Sequence, residues 1–283
     1  MRPTASSEPT TGYRPPAVAL SIAGFDPSSG AGVTADLAVF AAHGIFGTSA
    51  ISAMTVQSTV GVAAVRAVDP EWLRRTLEHV SADLPAAGVK IGMLAADAIV
   101  RVVAGFLQGV PYQVPVVLDP VLRSSSGHQL LESQGERRIH AELLPVVGWI
   151  TPNWSELSIL AGMPVRKIEQ AKEAADVLGK LHPRLHIVAT GGDQKEPVEL
   201  LRMPGGAVQT FPGEHVETTS THGTGCAFSS ALLSRLILGE APAVAVARAK
   251  AYVTQALRLA PGLGRGRGPL DLLWPLRGGQ RNC

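Results

Sequence analysis

The sequence alternates between short apolar runs and segments with helical spacing along almost its whole length. Apolar runs such as residues 17–23, 89–93 and 114–121 are nearly continuous, as in strands that are buried on both faces. Residues 33–43 and 168–181 instead repeat apolar side chains at helical intervals. Strands that alternate with helices fold as a parallel sheet covered by helices on both faces. The pattern therefore predicts one α/β domain with a mostly parallel central sheet.

The composition sets the limits of this domain. A chain of 283 residues that is 46% hydrophobic and 17% charged can bury a sizeable core. Residues 1–16 are rich in Ser, Thr and Pro and lack an apolar segment, so we interpret them as a disordered leader and not a signal peptide. We expect the globular domain over residues 17–273 and a flexible tail over residues 274–283.

Charge and cysteine content narrow the classes of partner. A net charge of +2, with no Lys/Arg-rich block and only 5% aromatic residues, gives no reason to expect nucleic acid. No apolar stretch is long and uncharged enough to predict a membrane span. The two cysteines, Cys226 and Cys283, do not form a disulfide framework, which is typical of a reducing compartment. We therefore expect a cytoplasmic protein whose ligands are small molecules.

The most informative motif is Thr-His-Gly-Thr-Gly-Cys at residues 221–226, which leads into an apolar run at 227–238. Two glycines at the start of a helix leave several backbone N–H groups free to face one point, where an anion is favoured. Cys226 lies just inside the same helix start, where the pKa of a thiol tends to fall. The motif predicts a phosphate site beside a candidate base. The alternative is a glycine-rich helix entry with a buried cysteine.

Polar side chains also stand at the ends of predicted strands, where the loops of open α/β sheets line one crevice. Asp26 lies in a loop of small residues at 24–32, and Gln57 and Asp119 each end a strand. Asp119, with Glu156 in the first turn of a later helix, is a candidate magnesium ligand. The local alternatives are a solvated loop residue for Gln57 and a carboxylate that merely complements the helix dipole for Glu156.

These features match the requirements of phosphoryl transfer, which needs a metal, donors for the transferred group and a residue that serves the attacking oxygen. No G-x-x-x-x-G-K-[ST] motif is present, so a Walker lysine is excluded. Magnesium, the helix N-terminus and Arg265 or Arg267 are the candidates for balancing the phosphate charge.

Taken together, the motifs resemble the hydroxymethylpyrimidine/phosphomethylpyrimidine kinases of thiamine biosynthesis, in the ribokinase-like superfamily. The resemblance runs from about residue 17 to residue 271 and rests on segments at 23–36, 90–94, 119–121, 126–127, 151–156 and 221–226. It implies a three-layer α/β/α ribokinase-like fold, a homodimer, and ATP and Mg²⁺ as cofactors. It also implies two successive steps, in which ATP phosphorylates the hydroxymethyl group and a second ATP extends the monophosphate to a pyrophosphate.

The resemblance assigns roles to individual residues. The residues that it implies around the aminopyrimidine are Gly24, Asp26, Ala31, Asp36, Gln57, Met93 and Val121. Those that it implies for catalysis are Gly223, Thr224, Gly225 and Cys226, with Cys226 at the position where other branches of the superfamily have an Asp base. For ATP it implies Asn153, Thr190, Gly192 and Arg265, and for magnesium Asp119 and Glu156. Thr190 departs from the lysine of many members, so Arg123, Arg265 or Arg267 is expected to supply the phosphate-binding charge.

Two other functions share these features. A pyridoxine or pyridoxal kinase on the same fold also binds a small aromatic ring with a hydroxymethyl arm. A pyrimidine-binding regulator without activity would explain the replaced lysine, but Asp119, Glu156 and the complete motif at 221–226 argue against it. A nicotinamide dehydrogenase is excluded because the glycines of residues 24–32 are spaced wrongly for G-x-G-x-x-G.

Overall fold

The computed structural model describes residues 15–122, 131, 133–191, 194 and 197–277. The expectations for the leader over residues 1–14, for Arg123, for Gly192 and for the tail beyond residue 277 concern residues outside this set. The strands are β1 (Val18–Phe25), β2 (Phe46–Ser58), β3 (Gly61–Ala67), β4 (Gly88–Ile91), β5 (Val116–Leu118), β6 (Trp149–Ile150), β7 (His186–Ala189), β8 (Val198–Arg202) and β9 (Val208–Pro212).

The helices are α1 (Gly32–Ala42), α2 (Pro70–Asp83), α3 (Asp97–Leu107), α4 (Ser133–Arg138), α5 (Trp154–Ala161), α6 (Ile168–Leu181), α7 (Thr224–Ile237), α8 (Pro242–Arg258) and α9 (Trp274–Arg277). Helix α4 continues into a π-helical turn, Ile139–Leu143. The sequence did not predict α4 and this turn. None of the helices in the described ranges combines the length and the apolar character that crossing a bilayer requires.

The strands form one sheet in the order β3-β2-β1-β4-β5-β6-β7-β8-β9. The six central strands, β2-β1-β4-β5-β6-β7, are parallel to one another. At one edge β3 pairs antiparallel with β2, and at the other edge the pairs β7–β8 and β8–β9 are antiparallel. The prediction of a mostly parallel sheet is confirmed. Because parallel strands point the same way, the loops that follow β1, β4, β5, β6 and β7 all emerge at the same edge.

Helices cover both faces of the sheet. One apolar cluster joins the sheet to α2, α3, α5 and α6 and contains Leu77, Val103 and Leu178. A second cluster joins the opposite face to α1, α7 and α8 and contains Phe40 and Leu232. Each fully buried side chain of this size contributes roughly 1.5–3 kcal/mol to the free energy of unfolding. The predicted three-layer α/β/α architecture is therefore confirmed.

Candidate active site

The loop over residues 24–32 and the motif at 221–226 pack directly against each other. Gly223, the N-cap of α7, has a φ of +84°, and a methyl group on it would overlap the carbonyl oxygen of Gly30. A methyl group on Gly30 would in turn overlap the imidazole of His222. Only glycine adopts the backbone conformation of Gly223 without strain, and only glycines at both positions let the two loops come this close. Two motifs that are separate in the sequence therefore form one continuous surface.

Asp26 organises the first of these loops. Its Oδ1 accepts hydrogen bonds from the backbone N–H and the hydroxyl of Ser28, at 2.9 and 2.7 Å. Its Oδ2 accepts from the N–H of Ala31 at 3.0 Å and lies 2.7 Å from Nε2 of His222. Burial acts to raise the pKa of Asp26, but the hydrogen bonds from His222 and Ser28 outweigh it and hold the pKa below its usual value. Asp26 is thus an ionised carboxylate that shapes the loop.

Cys226 lies where the N-termini of α1 and α7 meet. The backbone of Gly32, the first residue of α1, and the carboxylate of Asp119 both lie close enough to act on the pKa of its thiol. Burial raises the pKa of Cys226 to about 12, and the carboxylates of Asp119 and Asp36 act in the same direction. The nearby charge of Lys90 acts to lower the pKa, but it offsets these effects only in part. The expectation of a lowered pKa at this helix start is wrong: desolvation exceeds the effect of the helix dipole.

Asp119 follows β5 and reaches the first turns of α7. It is only 4% exposed, and its Oδ2 accepts a hydrogen bond from the hydroxyl of Ser229 at 3.2 Å. Burial raises the pKa of this carboxyl, and the charge of Lys90 acts in the opposite direction. A methyl group on the exposed Gly225 would lie 3.8 Å from the same Oδ2, so the helix start and the carboxylate are neighbours. The structure brings Asp119, Gly225 and Cys226 together.

Lys90 and Asp36 form a fully buried ion pair beneath this surface. Nζ of Lys90 lies 3.0 Å from Oδ1 of Asp36, and both side chains are 0% exposed. The hydroxyls of Ser21 and Ser230 also donate to Asp36, at 2.6 and 2.8 Å. Asp36 therefore presents no accessible surface to a ligand and connects β1, β4, α1 and α7. A lysine inside the apolar run that forms β4 is an unusual feature of the sequence, but on its own it did not predict a role for Lys90.

Two carboxylates are available for a metal at this edge of the sheet. Glu156 is 7% exposed and forms a capping box with Asn153 at the start of α5, with both reciprocal hydrogen bonds at 2.9 Å. β5 and β6 are adjacent parallel strands, so Asp119 and Glu156 follow neighbouring strands. Among the described residues, no group of three or more His, Cys, Asp or Glu side chains forms a metal site by itself. Two carboxylates completed by substrate phosphates and water are the donor set that magnesium uses in kinases, so the residues present fit this metal.

Among the residues expected around the aromatic substrate, Gln57 contacts the motif at 221–226 and Met93 contacts the loop over residues 24–32. Gln57, near the end of β2, places its amide nitrogen 3.0 Å from Nε2 of His222, so it is not only a solvated loop residue. Gly24 is in contact with Met93, because a methyl group on Gly24 would overlap that side chain. Val121 follows Asp119 and is half-buried. His222 belongs to the predicted motif, but its contact with both Asp26 and Gln57 was not foreseen.

The residues expected for ATP fall into two places. Asn153 and Thr190 line a cavity of about 350 Å³ that also includes Gly191 and Trp154, beyond the ends of β6 and β7. Arg265 is exposed in a glycine-rich loop whose Gly264 and Gly266 pack against Thr59, at the turn between β2 and β3. The N–H of His222 donates to the carbonyl of Gly268 at 3.1 Å, so this loop also supports the motif at 221–226. Thr224, the first residue of α7, donates its hydroxyl to the Thr221 carbonyl at 3.4 Å.

Comparison with known proteins agrees with this geometry. The model of the phosphomethylpyrimidine kinase family matches residues 26–271. The chain is 36% identical to the hydroxymethylpyrimidine/phosphomethylpyrimidine kinase of Synechococcus elongatus, over 92% of this chain and 98% of that protein. It is 37% identical to the enzyme of the same name from Haemophilus influenzae, over 89% of this chain and 95% of that protein.

Solved structures show the same fold. The phosphomethylpyrimidine kinase of Clostridium difficile 630 superposes with a TM-score of 0.74 and 32% identity, covering 85% of this chain and 99% of that one. The pyridoxal kinase of Staphylococcus aureus, in complex with AMP-PCP and pyridoxal, superposes with a TM-score of 0.81 and 27% identity, covering 91% and 94%. The fold is ribokinase-like. From its motifs, its geometry and these relatives, the chain belongs to the phosphomethylpyrimidine kinase family.

Proposed function

We propose that this protein uses ATP to phosphorylate 4-amino-5-hydroxymethyl-2-methylpyrimidine to its monophosphate and then to its pyrophosphate, for thiamine diphosphate biosynthesis. The observation that carries the proposal is the convergence of the 24–32 loop, Asp119 and the start of α7 around Cys226. Relatives with the corresponding name, at 36% and 37% identity, support it. Structures of related kinases with AMP-PCP and with ADP support ATP as the phosphoryl donor.

In this proposal the start of α7 binds the phosphoryl group that is transferred. The first intrahelical bond of α7 runs from the N–H of Ala227 to the carbonyl of Gly223, at 2.8 Å. The N–H groups of Thr224, Gly225 and Cys226 precede it and have no partner within the helix. They are donors that are already oriented toward the negative charge that develops during transfer, and the helix dipole adds to their effect.

Asp119 and Glu156 are the side chains that would hold magnesium, together with phosphate oxygens of ATP. When bound, the metal neutralises phosphate charge at the reacting group. We assign the rest of the nucleotide to the side of the sheet where Asn153, Thr190 and Gly191 line the cavity. Arg265 is the exposed cation that we assign to the phosphates in place of the lysine that Thr190 replaces.

The two steps place different demands on Cys226. In the first step, the proton of the substrate hydroxyl passes to the sulfur of Cys226, which must first have lost its own proton to solvent. Asp119 stays ionised throughout, as a magnesium ligand must. In the second step, the attacking group is a phosphate that is already ionised near neutral pH, so no base is required.

The proposal is tested by following both products with purified protein, ATP, Mg²⁺ and the hydroxymethylpyrimidine. We expect the monophosphate to form first and the pyrophosphate to follow, with release of two ADP for each pyrimidine consumed. A regulator without activity would bind the pyrimidine and release no ADP.

The second candidate function, pyridoxal phosphorylation, is favoured by the likeness to the pyridoxal kinases of Staphylococcus aureus and Bacillus subtilis, at TM-scores of 0.81 and 0.82.

We further propose that the enzyme is a cytoplasmic homodimer. The edge of the sheet formed by β2 and β3 exposes Met54, Val56 and Val60, at 46%, 64% and 68% of their surface. Exposed apolar groups beside an unpaired edge strand are typical of an interaction surface. Light scattering on the purified protein is expected to give twice the mass of the chain, and a monomer at micromolar concentration would contradict the proposal.

A further inference from the structure

One ring nitrogen of His222 faces two polar groups at once. Nε2 of His222 lies 2.7 Å from Oδ2 of Asp26 and 3.0 Å from the amide of Gln57. The ring is packed against Gly30, where even one added methyl group would overlap it. The arrangement therefore has a definite hydrogen-bond pattern, and the chemistry of Asp26 decides which atoms donate.

Asp26 is an acceptor only. Both of its oxygens already accept hydrogen bonds from the loop, through Ser28 and Ala31, and its pKa is held below the usual value, so it carries no proton near neutral pH. A ring nitrogen 2.7 Å from such an oxygen must carry a hydrogen, since two lone pairs at that distance would repel. Nε2 of His222 is thus an N–H donor, whether the imidazole is neutral or charged. The short distance is typical of a charge-assisted hydrogen bond.

This assignment fixes the amide of Gln57. A nitrogen that carries a hydrogen has no lone pair in the ring plane, so it cannot accept from the NH₂ group of Gln57. The two ends of an amide exchange by a half turn and are told apart only by their hydrogen bonds. Of the two, only the amide oxygen makes a favourable contact with Nε2 of His222, whose single N–H it shares with Oδ2 of Asp26. With the oxygen there, the two amide hydrogens of Gln57 point away from His222.

We propose that Asp26 and His222 are positioning residues, which hold the Gln57 amide oxygen on His222 and present its NH₂ group to the substrate. The pocket then selects an aromatic ring with an unprotonated nitrogen as acceptor. This inference rests on the proposed function, because it takes Gln57 to face the aminopyrimidine. Asp26 and His222 act through Gln57 and through their loops and do not take part in the chemistry.

The first test needs no substrate. In protein labelled with ¹⁵N-histidine, the His222 signals are identified by their loss in His222→Gln. We expect Nε2 of His222 to be protonated in the unliganded wild-type protein, and the Asp26→Asn variant to shift the proton population toward Nδ1. An unprotonated Nε2 in the wild type would overturn the inference, whatever the activity of the enzyme.

The second test measures selectivity. kcat/KM is measured for the hydroxymethylpyrimidine and for two analogues. In each analogue, one of the two ring nitrogens is replaced by CH, so that one of the two lacks the nitrogen that accepts from Gln57. The wild type is expected to prefer the true pyrimidine by about 10- to 100-fold, mainly through KM, because the analogue leaves a donor unpaired. Asp26→Asn and His222→Phe should bring this ratio close to one. His222→Gln, which keeps an N–H donor at the end of the side chain, should retain most of it.

Ser28→Ala is the matched control, since it removes one donor to Asp26 without touching His222 or Gln57. It should leave the ratio unchanged. If Asp26→Asn raises KM for both compounds in the same proportion, Asp26 only supports the loop and the inference is wrong. If the wild type phosphorylates neither compound, the proposed function fails, and the NMR measurement still decides the state of His222.

Discussion

Among single residues, Cys226 departs most from what its place in the sequence predicts. A cysteine at a helix N-terminus usually has a lowered pKa. Here burial and the neighbouring Asp119 and Asp36 carboxylates raise the pKa to about 12, although Lys90 acts in the opposite direction. The thiol is therefore neutral in the unliganded protein. It must therefore lose its proton before it can act as the base of the first step.

Replacing Cys226 with Ala should separate the two phosphorylation steps. We expect kcat for the hydroxymethylpyrimidine to fall by about 100-fold or more, as for loss of a general base, with little change in binding of the pyrimidine. Turnover of the monophosphate should fall far less. The measurement is the ratio of the two kcat values in Cys226→Ala, with Cys226→Ser as the control that keeps the size of the side chain without the thiol. Near-normal turnover of both substrates would mean that Cys226 only packs between the helices.

Replacing Asp119 with Asn should change the response to magnesium. We expect the Mg²⁺ concentration for half-maximal rate to rise by about tenfold or more, because a neutral amide is a weaker ligand than a carboxylate. A magnesium titration of the rate at saturating ATP and pyrimidine measures this. Ser229→Ala is the matched control, since it removes a hydrogen bond from the same carboxylate without changing its charge. An unchanged requirement for magnesium in Asp119→Asn would move the metal site elsewhere.

The sequence predicted most of the site residues as types but not their pairings. Asp119 and Glu156 were recognisable because each follows an apolar strand, and Cys226 because it follows two glycines. The Asp26–His222 contact joins residues that are 196 positions apart, and the Lys90–Asp36 pair joins residues 54 apart. No local pattern reports such contacts, because they arise when separate elements pack. For the same reason, the sequence did not indicate that Asp36 would be fully buried beside Lys90.

At the level of secondary structure, α7 depends on the backbone of Gly223. Gly223→Ala should lower the free energy of unfolding and the activity together, because a methyl group would both strain a φ of +84° and overlap the Gly30 carbonyl. Gly239→Ala is the matched control, with a φ of +81° and no atom within 4 Å of an added methyl group. The control should cost about 1–2 kcal/mol from backbone strain alone.

Urea unfolding and turnover of both variants check this prediction. Gly223→Ala should be less stable than Gly239→Ala and should lose most of its activity, while Gly239→Ala keeps near-normal turnover. Equal losses of stability and of activity in the two variants would show that contact between the two loops is not what α7 requires.

The Lys90–Asp36 pair joins strands and helices on one face of the sheet. Lys90→Met should cost about 3–5 kcal/mol of unfolding free energy, because it leaves a buried carboxylate without its cation. The Lys90→Met/Asp36→Asn double variant should recover part of this loss. Burial acts to lower the pKa of Lys90, but the charge of Asp36 outweighs it and raises the pKa. The ion pair therefore contributes its full stabilisation of the folded state below the unfolded-state lysine pKa of about 10.4, and the contribution is lost only at higher pH.

Urea unfolding at several pH values measures this effect. The difference between wild type and Lys90→Met should stay constant from about pH 6 to pH 9, a range well below the unfolded-state pKa of lysine. A difference that shrinks steadily across this range would show that Lys90 loses its proton there and that the buried pair is not ionised.

The elements themselves were largely predictable, because their signals are local. Asp69 followed by Pro70 is a local signal for a helix start, and Oδ1 of Asp69 accepts a hydrogen bond from the N–H of Trp72 at 2.9 Å, at the start of α2. The helix over residues 168–181 has the predicted limits. Helix α4 and its π-helical turn were missed, because in residues 133–143 only Ile139 and Leu143 are large and apolar, which is too few to show a period.

For the molecule as a whole, one edge of the sheet collects the chemistry. The loops after the parallel strands and the N-termini of α1 and α7 meet there, so a nucleotide, a metal and a small aromatic alcohol can be brought together. The related kinases for pyridoxal and for pyrimidines share this fold. The fold therefore accounts for phosphoryl transfer, while our proposal assigns the choice of aromatic ring to the few side chains around Gln57.

The central claim is that this site acts on a hydroxymethylpyrimidine. It is tested most directly by measuring kcat/KM for 4-amino-5-hydroxymethyl-2-methylpyrimidine and for pyridoxal with the same enzyme preparation, ATP and magnesium. We predict a kcat/KM for the pyrimidine at least tenfold above that for pyridoxal. A kcat/KM that favours pyridoxal would contradict the account and identify the protein as a pyridoxal kinase.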